Sequence, residues 1–302
     1  MKFNKEAYER KFDIAIYGLG YESRSTAAFK KFSIRAKKNI VIGYETNKEA
    51  VRYNENKTYF LDHEVLLFEN DCTSIIKTVR DTVLELLKDV ENPKIFLDIT
   101  VMSRHRMASI IYNLLSDLKE KSLVTVCYNL SYFVEPPEGI QPVKKLGPII
   151  DELCGDLGSL SMPTSVVFGL GYEEHKALGV YNYYDADYSY AFIPQNQFSD
   201  FESEVRKNNA PLLNAISEKN SFTYDVTNPY ATYVDLKSLM ISLTDVSRTI
   251  LVPLGPKIFA AISVILGKEL HPKLPIWRVS SLHSEEPVER TSHKEVLFSV
   301  TI

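Results

Sequence analysis

The sequence predicts an α/β protein built from two tandem Rossmann-like domains, each a doubly wound parallel sheet, related by duplication. Short apolar β-branched runs alternate with longer amphipathic ones, as parallel βαβ units require. That alternation restarts after a stretch rich in Gly, Ser and Pro. The pentapeptide GLGYE occurs twice, at Gly18–Glu22 and Gly169–Glu173, each time directly after the first strand of its half. The end of the fourth strand follows at a similar distance, 80 positions from Gly18 to Asp98 and 84 from Gly169 to Pro253. Duplication and divergence account for this; two unrelated domains that each need a Gly-rich first turn are the alternative.

In the first half the strands are FDIAIYG, NIVIGYE, EVLLFEN, KIFLDIT and LVTVCYNLSYF, with helices near 23–32, after NIVIGYE, over 73–88 and over 103–119. The third helix shows the logic. Ile75, Ile76, Val79, Val83, Leu86 and Leu87 recur at helical spacing, and Lys77, Arg80, Asp81 and Lys88 fall largely between them. Residues 1–150 form the first domain, 151–163 a linker within GPIIDELCGDLGSLSMP, and 164–302 the second domain. The second half reads TSVVFGLG, SYAFIPQ, a helix over 198–216, SFTYDVT, a helix over 231–243, TILVPLG, a helix over 256–266, PIWRVSS and EVLFSVTI.

A chain of 302 residues, 45% hydrophobic and 25% charged, has apolar content for two cores of about 150 residues each. The net charge of -4 argues against broad non-specific nucleic-acid binding and leaves room for a local cationic pocket. The charged start MKFNKEAYERKF lacks the apolar core of a signal peptide, and no window is apolar for the length of a bilayer, so a cytoplasmic protein without a membrane partner is expected. Cys72, Cys127 and Cys154 are too few and too widely spaced for a disulfide framework or zinc knuckle, and read as core thiols. The six histidines form no metal-binding pair. No particular cofactor is indicated.

Ligands of open parallel sheets bind beyond the carboxyl ends of the strands where the strand order reverses, between the first and fourth strands. Both of the richest motifs fall there. In GLGYESRS, Gly18 and Gly20 allow close backbone approach, Ser23 or Ser25 is a helix cap, Arg24 is a cation, Glu22 is a candidate carboxylate, and Tyr21, like Tyr172, reads as an aromatic that stacks on a base or covers the sheet edge. In DITVMSRHRM, Asp98 ends the strand, Thr100 and Ser103 offer hydroxyls, and Arg104 and Arg106 add charge at a helix start. The G-x-G lacks the third glycine of the dinucleotide fingerprint, which argues against classical NAD binding. The second half supplies Gly169, Gly171, Tyr172, Glu173, His175 and Lys176 after its first strand, and Gly255, Pro256 and Lys257 after its fourth. Because arginine is the better phosphate fork, the stronger anion site is expected in the first half. The tyrosine-rich VYNYYDADYSY reads as a sheet edge or protein interface.

The segments IFLDITVMSRHRMAS and GLGYESRS resemble the fourth-strand and first-strand motifs of CRISPR-associated Rossmann-fold (CARF) sensor domains. The family's paired glycines are Val101 and Met102 here. The resemblance implies a nucleotide second messenger bound at the junction of two copies, with Thr100, Ser103 and Arg104 as contacts. Three functions follow as expectations. The first is a sensor of a nucleotide-like phosphate ligand, in bacterial antiviral defence or stress signalling, with output passed to a separate protein partner. The second is a nucleotide hydrolase or transferase using carboxylates among Asp98, Glu22, Glu173 and Asp225. The third is a structural interaction subunit.

Overall fold

The computed structural model describes all residues except 6–10, 46–47, 136–142, 157, 196–198 and 282–286, together with the side chains of Ile34, Cys72, Lys144, Ser199 and Ser281. In chain order the elements are β1 (Lys2–Asn4), β2 (Phe12–Gly18), α1 (Ala27–Phe32), β3 (Ala36–Ile42), α2 (Tyr53–Leu61), β4 (Leu66–Phe68), α3 (Cys72–Leu87), β5 (Lys94–Asp98), α4 (Arg104–Asp117) and β6 (Leu123–Ser131). There follow β7 (Val143–Pro148), β8 (Thr164–Gly169), α5 (Lys176–Tyr184), β9 (Tyr188–Gln195), α6 (Ser199–Asn208), α7 (Ala210–Ala215), β10 (Ser221–Asp225) and α8 (Pro229–Thr244). The last are β11 (Arg248–Pro253), α9 (Lys257–Glu269), β12 (Trp277–Ser281) and β13 (Ser292–Thr301).

Two compact α/β units result, one formed by Met1–Val134 with Glu286–Ile302, the other by Glu135–Glu285. The first unit's sheet runs β1-β13-β6-β5-β2-β3-β4. Its β4-β3-β2-β5-β6 portion is wholly parallel and carries the Rossmann order, with the reversal between β2 and β5. Along β2, Ala15 and Tyr17 join the core that holds Phe29, Phe32, Tyr53 and Phe60 from α1 and α2. Ile16 on the opposite face lines one cavity with Ile76, Val79 and Val83 of α3 and Ile110 and Leu114 of α4. The period-two alternation of side chains thus gives the sheet a helix layer on each face. Asp71 caps α3 by accepting from the Thr73 and Ser74 amides at 2.9 and 3.0 Å.

The second unit has a parallel sheet in the order β10-β9-β8-β11 and a separate antiparallel pair, β12 with β7. Its order repeats that of β4-β3-β2-β5 in the first unit. Val166, Phe168 and Leu170 pack with Ala177, Val180, Val205 and Leu212 on one face, while Phe259 of α9 packs against Phe192 and Tyr224 at 5.7 and 5.0 Å.

The boundaries differ from those expected. EVLFSVTI belongs to the first unit, because β13 pairs antiparallel with β6 from Ser292↔Ser131 to Thr301↔Leu123 and with β1 on its other side. Residues 151–163 are not a free linker but lie within the second unit. Leu153 is fully buried, its carbonyl accepts from Ile276 N at 3.0 Å, and Ile276 O accepts from Ile149 N at 2.8 Å. Gly155, at φ +71°, sits where a Cβ would stand 2.8 Å from Pro275, so its glycine serves a tight approach. The tyrosine-rich stretch is not at a sheet edge, since β9 lies between β8 and β10. Tyr183 and Tyr188 are exposed, and Tyr184 packs on Trp277 at 5.6 Å. Cys127 is buried, as expected, whereas Cys154 is exposed.

Phe298 of β13 is buried and stacks on Phe3 with ring centroids 4.9 Å apart. Phe298→Ala is expected to destabilise the first unit by about 3–5 kcal/mol. The single tryptophan, Trp277, reports the second unit. In denaturant titrations, far-UV circular dichroism should therefore lose part of its amplitude early while tryptophan fluorescence keeps its midpoint. Coincident shifts of both signals would contradict the assignment of β13.

Candidate functional site

In the first unit the β2 turn closes on itself. Ser25 Oγ donates to Gly18 O at 3.0 Å and accepts from Gly20 N at 3.1 Å, so this serine ties the turn rather than capping a helix. Leu19 N donates to Ile42 O at the end of β3 at 2.8 Å. Asn56 of α2 donates to Gly20 O and Glu22 O at 2.8 and 2.9 Å. Gly18 and Gly20 face Val101, whose side-chain atoms lie 2.8 and 2.9 Å from where a Cβ would stand at each. These glycines make room for Val101; the space expected for a ligand backbone contact is filled by the protein.

The charges of this crevice are spent internally. Arg24 is 4% exposed, pairs through Nε with Glu22, and donates from Nη1 to Asn129 O at 2.7 Å. Burial opposes its charge, but Tyr128 and Glu22 more than offset this and hold the guanidinium above its ordinary range. Arg106 is 1% exposed, donates to Gly43 O at 2.7 Å, and lies 3.8 Å over the Tyr44 ring. The Tyr44 hydroxyl accepts from Ser103 N at 2.7 Å, and Ser103 Oγ accepts from Arg106 N at 3.2 Å, so the Ser103 and Arg106 amides at the start of α4 are already served. Asp98 is fully buried; its Oδ1 accepts from Thr100 N at 3.0 Å and from the Thr100 hydroxyl. Thr100 Oγ1 in turn accepts from Asn129 N and Nδ2 at 2.9 and 3.1 Å. Burial, with the Asp98 carboxylate, pushes the Cys127 thiol well above its ordinary range, which leaves it inert. Tyr21 and Arg104 are half-buried and Ser103 is exposed.

The second unit repeats the scaffold with a different filling. Leu170 N donates to Phe192 O at 2.9 Å, as Leu19 does to Ile42. Asn209, 38 residues after Gly171, donates to Gly171 O at 2.7 Å, matching Asn56, 36 residues after Gly20. Asn208 donates to Tyr172 O at 2.7 Å. The fourth-strand loop here meets the first-strand turn backbone to backbone. Leu254 N and Gly255 N both donate to Gly169 O at 2.8 Å, and a Cβ on Gly255 would stand 2.1 Å from Leu170 O. A Cβ on Gly171 would meet the Glu173 carboxylate at 2.3 Å and Leu254 O at 2.9 Å. Gly169 gives room to Phe259. Glu173 Oε1 lies 3.9 Å from Lys176 Nζ. Pro256 at the start of α9 has no side-chain acceptor for the amides of the first turn, and Lys257, the first residue of the helix, is half-buried. His175, at φ +58°, pairs with Glu174 at 3.1 Å. Asp225 Oδ1 accepts from Thr227 N and Oγ1 at 2.7 and 2.8 Å, and Asn228 caps α8 through Ala231 N at 3.1 Å, an ordinary Asx turn and helix start.

No protein-family model matches the chain, and no curated protein matches it. Among solved structures, the cytoplasmic domain of a prokaryotic cation chloride cotransporter aligns over 91% of this chain and 98% of its own, with 9% identity and a TM-score of 0.25. A likeness that weak carries no conclusion about fold or activity. No helix among the described residues is long and apolar enough to cross a membrane, and no group of His, Cys, Asp or Glu among them is placed to hold a metal ion.

Asn56, Asn209, Asn129 and Tyr44 complete these edges without belonging to either sequence motif. The signal was present for the first two: an asparagine inside or just after the helix that follows the second strand, at nearly equal distance from each GLGYE. Buried turn carbonyls must find donors, and these side chains supply them. Asn56→Ala and Asn209→Ala are each expected to cost about 1–3 kcal/mol by stranding buried acceptors. Only Asn209→Ala should move the Trp277 fluorescence midpoint. Losses below about 0.5 kcal/mol, the range of an ordinary surface change, would show that the clamps are dispensable.

Proposed function

We propose that the protein is a regulatory sensor that takes a phosphate-bearing, nucleotide-like small molecule at the carboxyl edge of the second unit's sheet, with output to a separate protein partner. The observation that carries this reading is the meeting of two glycine turns, Gly169–Gly171 and Leu254–Pro256, at the strand-order reversal between β8 and β11. Backbone hydrogen bonds join the two turns there, both made to Gly169 O. Two helices start from it with lysines, Lys176 on α5 and Lys257 on α9, and α9 begins without a side-chain cap. Helix N-termini of this kind favour anions, and a nearby lysine adds a point charge.

Binding is favoured over acid–base catalysis by the state of the candidate carboxylates. Asp98 and Glu22 are buried and engaged, and Asp225 holds its own turn. Of the four, Glu173 alone stands at the second unit's glycine turns. The expectation that the first half holds the stronger anion site gives way here, because Arg24 and Arg106 are committed to internal partners.

A nucleotide panel read by thermal shift on the intact chain tests the proposal, since a ligand of the native state must raise its stability. Lys257→Ala should weaken binding by about 1.5–3 kcal/mol, the worth of a charge-assisted contact, while Arg104→Ala leaves it nearly unchanged. Absence of stabilisation by every nucleotide at high concentration would reject the sensor reading; weakening by Arg104→Ala alone would return the site to the first unit.

A further inference from the structure

The first unit's crevice is covered by its own chain. Between the second unit and β13, residues Pro287–Thr291 meet the GLGYESRS turn through specific contacts. Glu289 Oε1 accepts from Ser23 N at 2.9 Å, and Ser23 Oγ donates to Arg290 O at 3.4 Å. Arg290 Nη1 lies 3.5 Å from Glu22 Oε1, so Glu22 is held between Arg290 and Arg24. Thr291 O accepts from Tyr132 N at 3.3 Å, beside the entry to β13.

Two features make this closure releasable. Glu289 Oε2 is shut off from solvent with no hydrogen-bond partner among the described residues. A carboxylate oxygen in water bears no such cost, so the closed position is penalised relative to an open one. Withdrawal of Arg290 leaves Glu22 still paired with Arg24, so opening does not strand a buried charge.

We infer that Pro287–Thr291 is a strap latched over the first unit's crevice by Glu289 and Arg290, with Glu289 holding on the Ser23 amide the place of an anionic ligand group. The latch stands on these contacts alone; the place-holding role rests on the reading of the carboxyl edges as anion sites.

The test uses the full chain. Amide hydrogen exchange at Ser23 is measured in the wild type and in Glu289→Ala/Arg290→Gln, with exchange at the β2 amides of Ile14, Ala15 and Ile16 as the control for folding of the first unit. Exchange at Ser23 at least tenfold faster in the double variant, with exchange in β2 unchanged, is expected. In the wild type, exchange should also quicken as salt is raised, because screening weakens the Arg290–Glu22 contact. Ser23 exchange unchanged by both the substitutions and salt overturns the latch. Pyrophosphate is then titrated into Lys257→Ala with and without the two strap substitutions; at least tenfold tighter binding with them is expected. Faster exchange without tighter binding overturns the place-holding role. If the wild type binds no pyrophosphate or nucleotide, yet Ser23 exchange quickens in the double variant, the proposed sensor site fails and the latch stands.

Discussion

Both units depend on one close approach, that of the turn after the first strand to the loop after the fourth. Parallel neighbours β2 and β5, or β8 and β11, bring these segments together at one edge, where only glycines leave enough room. In the first unit the gap left by Gly18 and Gly20 is filled by the Val101 side chain. In the second, Gly255 meets the Leu170 carbonyl directly, and Gly169 O takes two amides from the opposite loop. The same constraint thus gives a packed edge in one unit and a backbone-lined edge in the other. The asparagine clamps follow from it. A turn pressed against a neighbouring loop has carbonyls that water does not reach, and a side-chain amide from the next helix supplies the donors.

The distribution of charge follows the same division. In the first unit Arg24 and Arg106 are buried, and buried cations need partners of their own. Arginine suits that role, because its planar fork meets a carboxylate or carbonyls and stacks on an aromatic ring. Arg24 and Arg106 do both, the first against Glu22 and Asn129 O, the second against Gly43 O and Tyr44. The lysines of the second unit stand at helix starts, where an ammonium is a compact point charge. Residue types that look alike as ligands for phosphate therefore stand in different surroundings in the two units.

Much of this was legible in the sequence, for reasons of period and punctuation. Strands β2, β3, β5, β6, β8, β9, β10 and β11 are apolar runs bounded by turn residues, and their alternation with helices fixes a parallel, doubly wound sheet. The repeated GLGYE marks the carboxyl edge correctly in both units. Less legible was whatever depends on pairing between distant segments. Nothing local in SHKEVLFSVT says that it pairs with β6 rather than with strands nearer in sequence. The Gly, Ser and Pro content around residues 147–163 signals close packing against Pro275 and Ile276 as readily as it signals a linker. Arg24 and Arg106 were visible as cations, but their partners Tyr128 and Asn129, and Gly43 and Tyr44, reach them from other elements.

The return of β13 to the first sheet also governs the order in which the chain becomes able to fold. Its ten residues lie between β1 and β6, yet a ribosome releases them only after every residue of the second unit. During synthesis β1 has no neighbour, and β6 presents an open edge, while the second unit already has all of its strands. Unpaired strand edges recruit other strands. The interval between the emergence of β6 and that of β13 is therefore when the nascent protein is most exposed to mispairing, and Lys2–Asn4 is held in the sheet only once Ser299–Thr301 arrives.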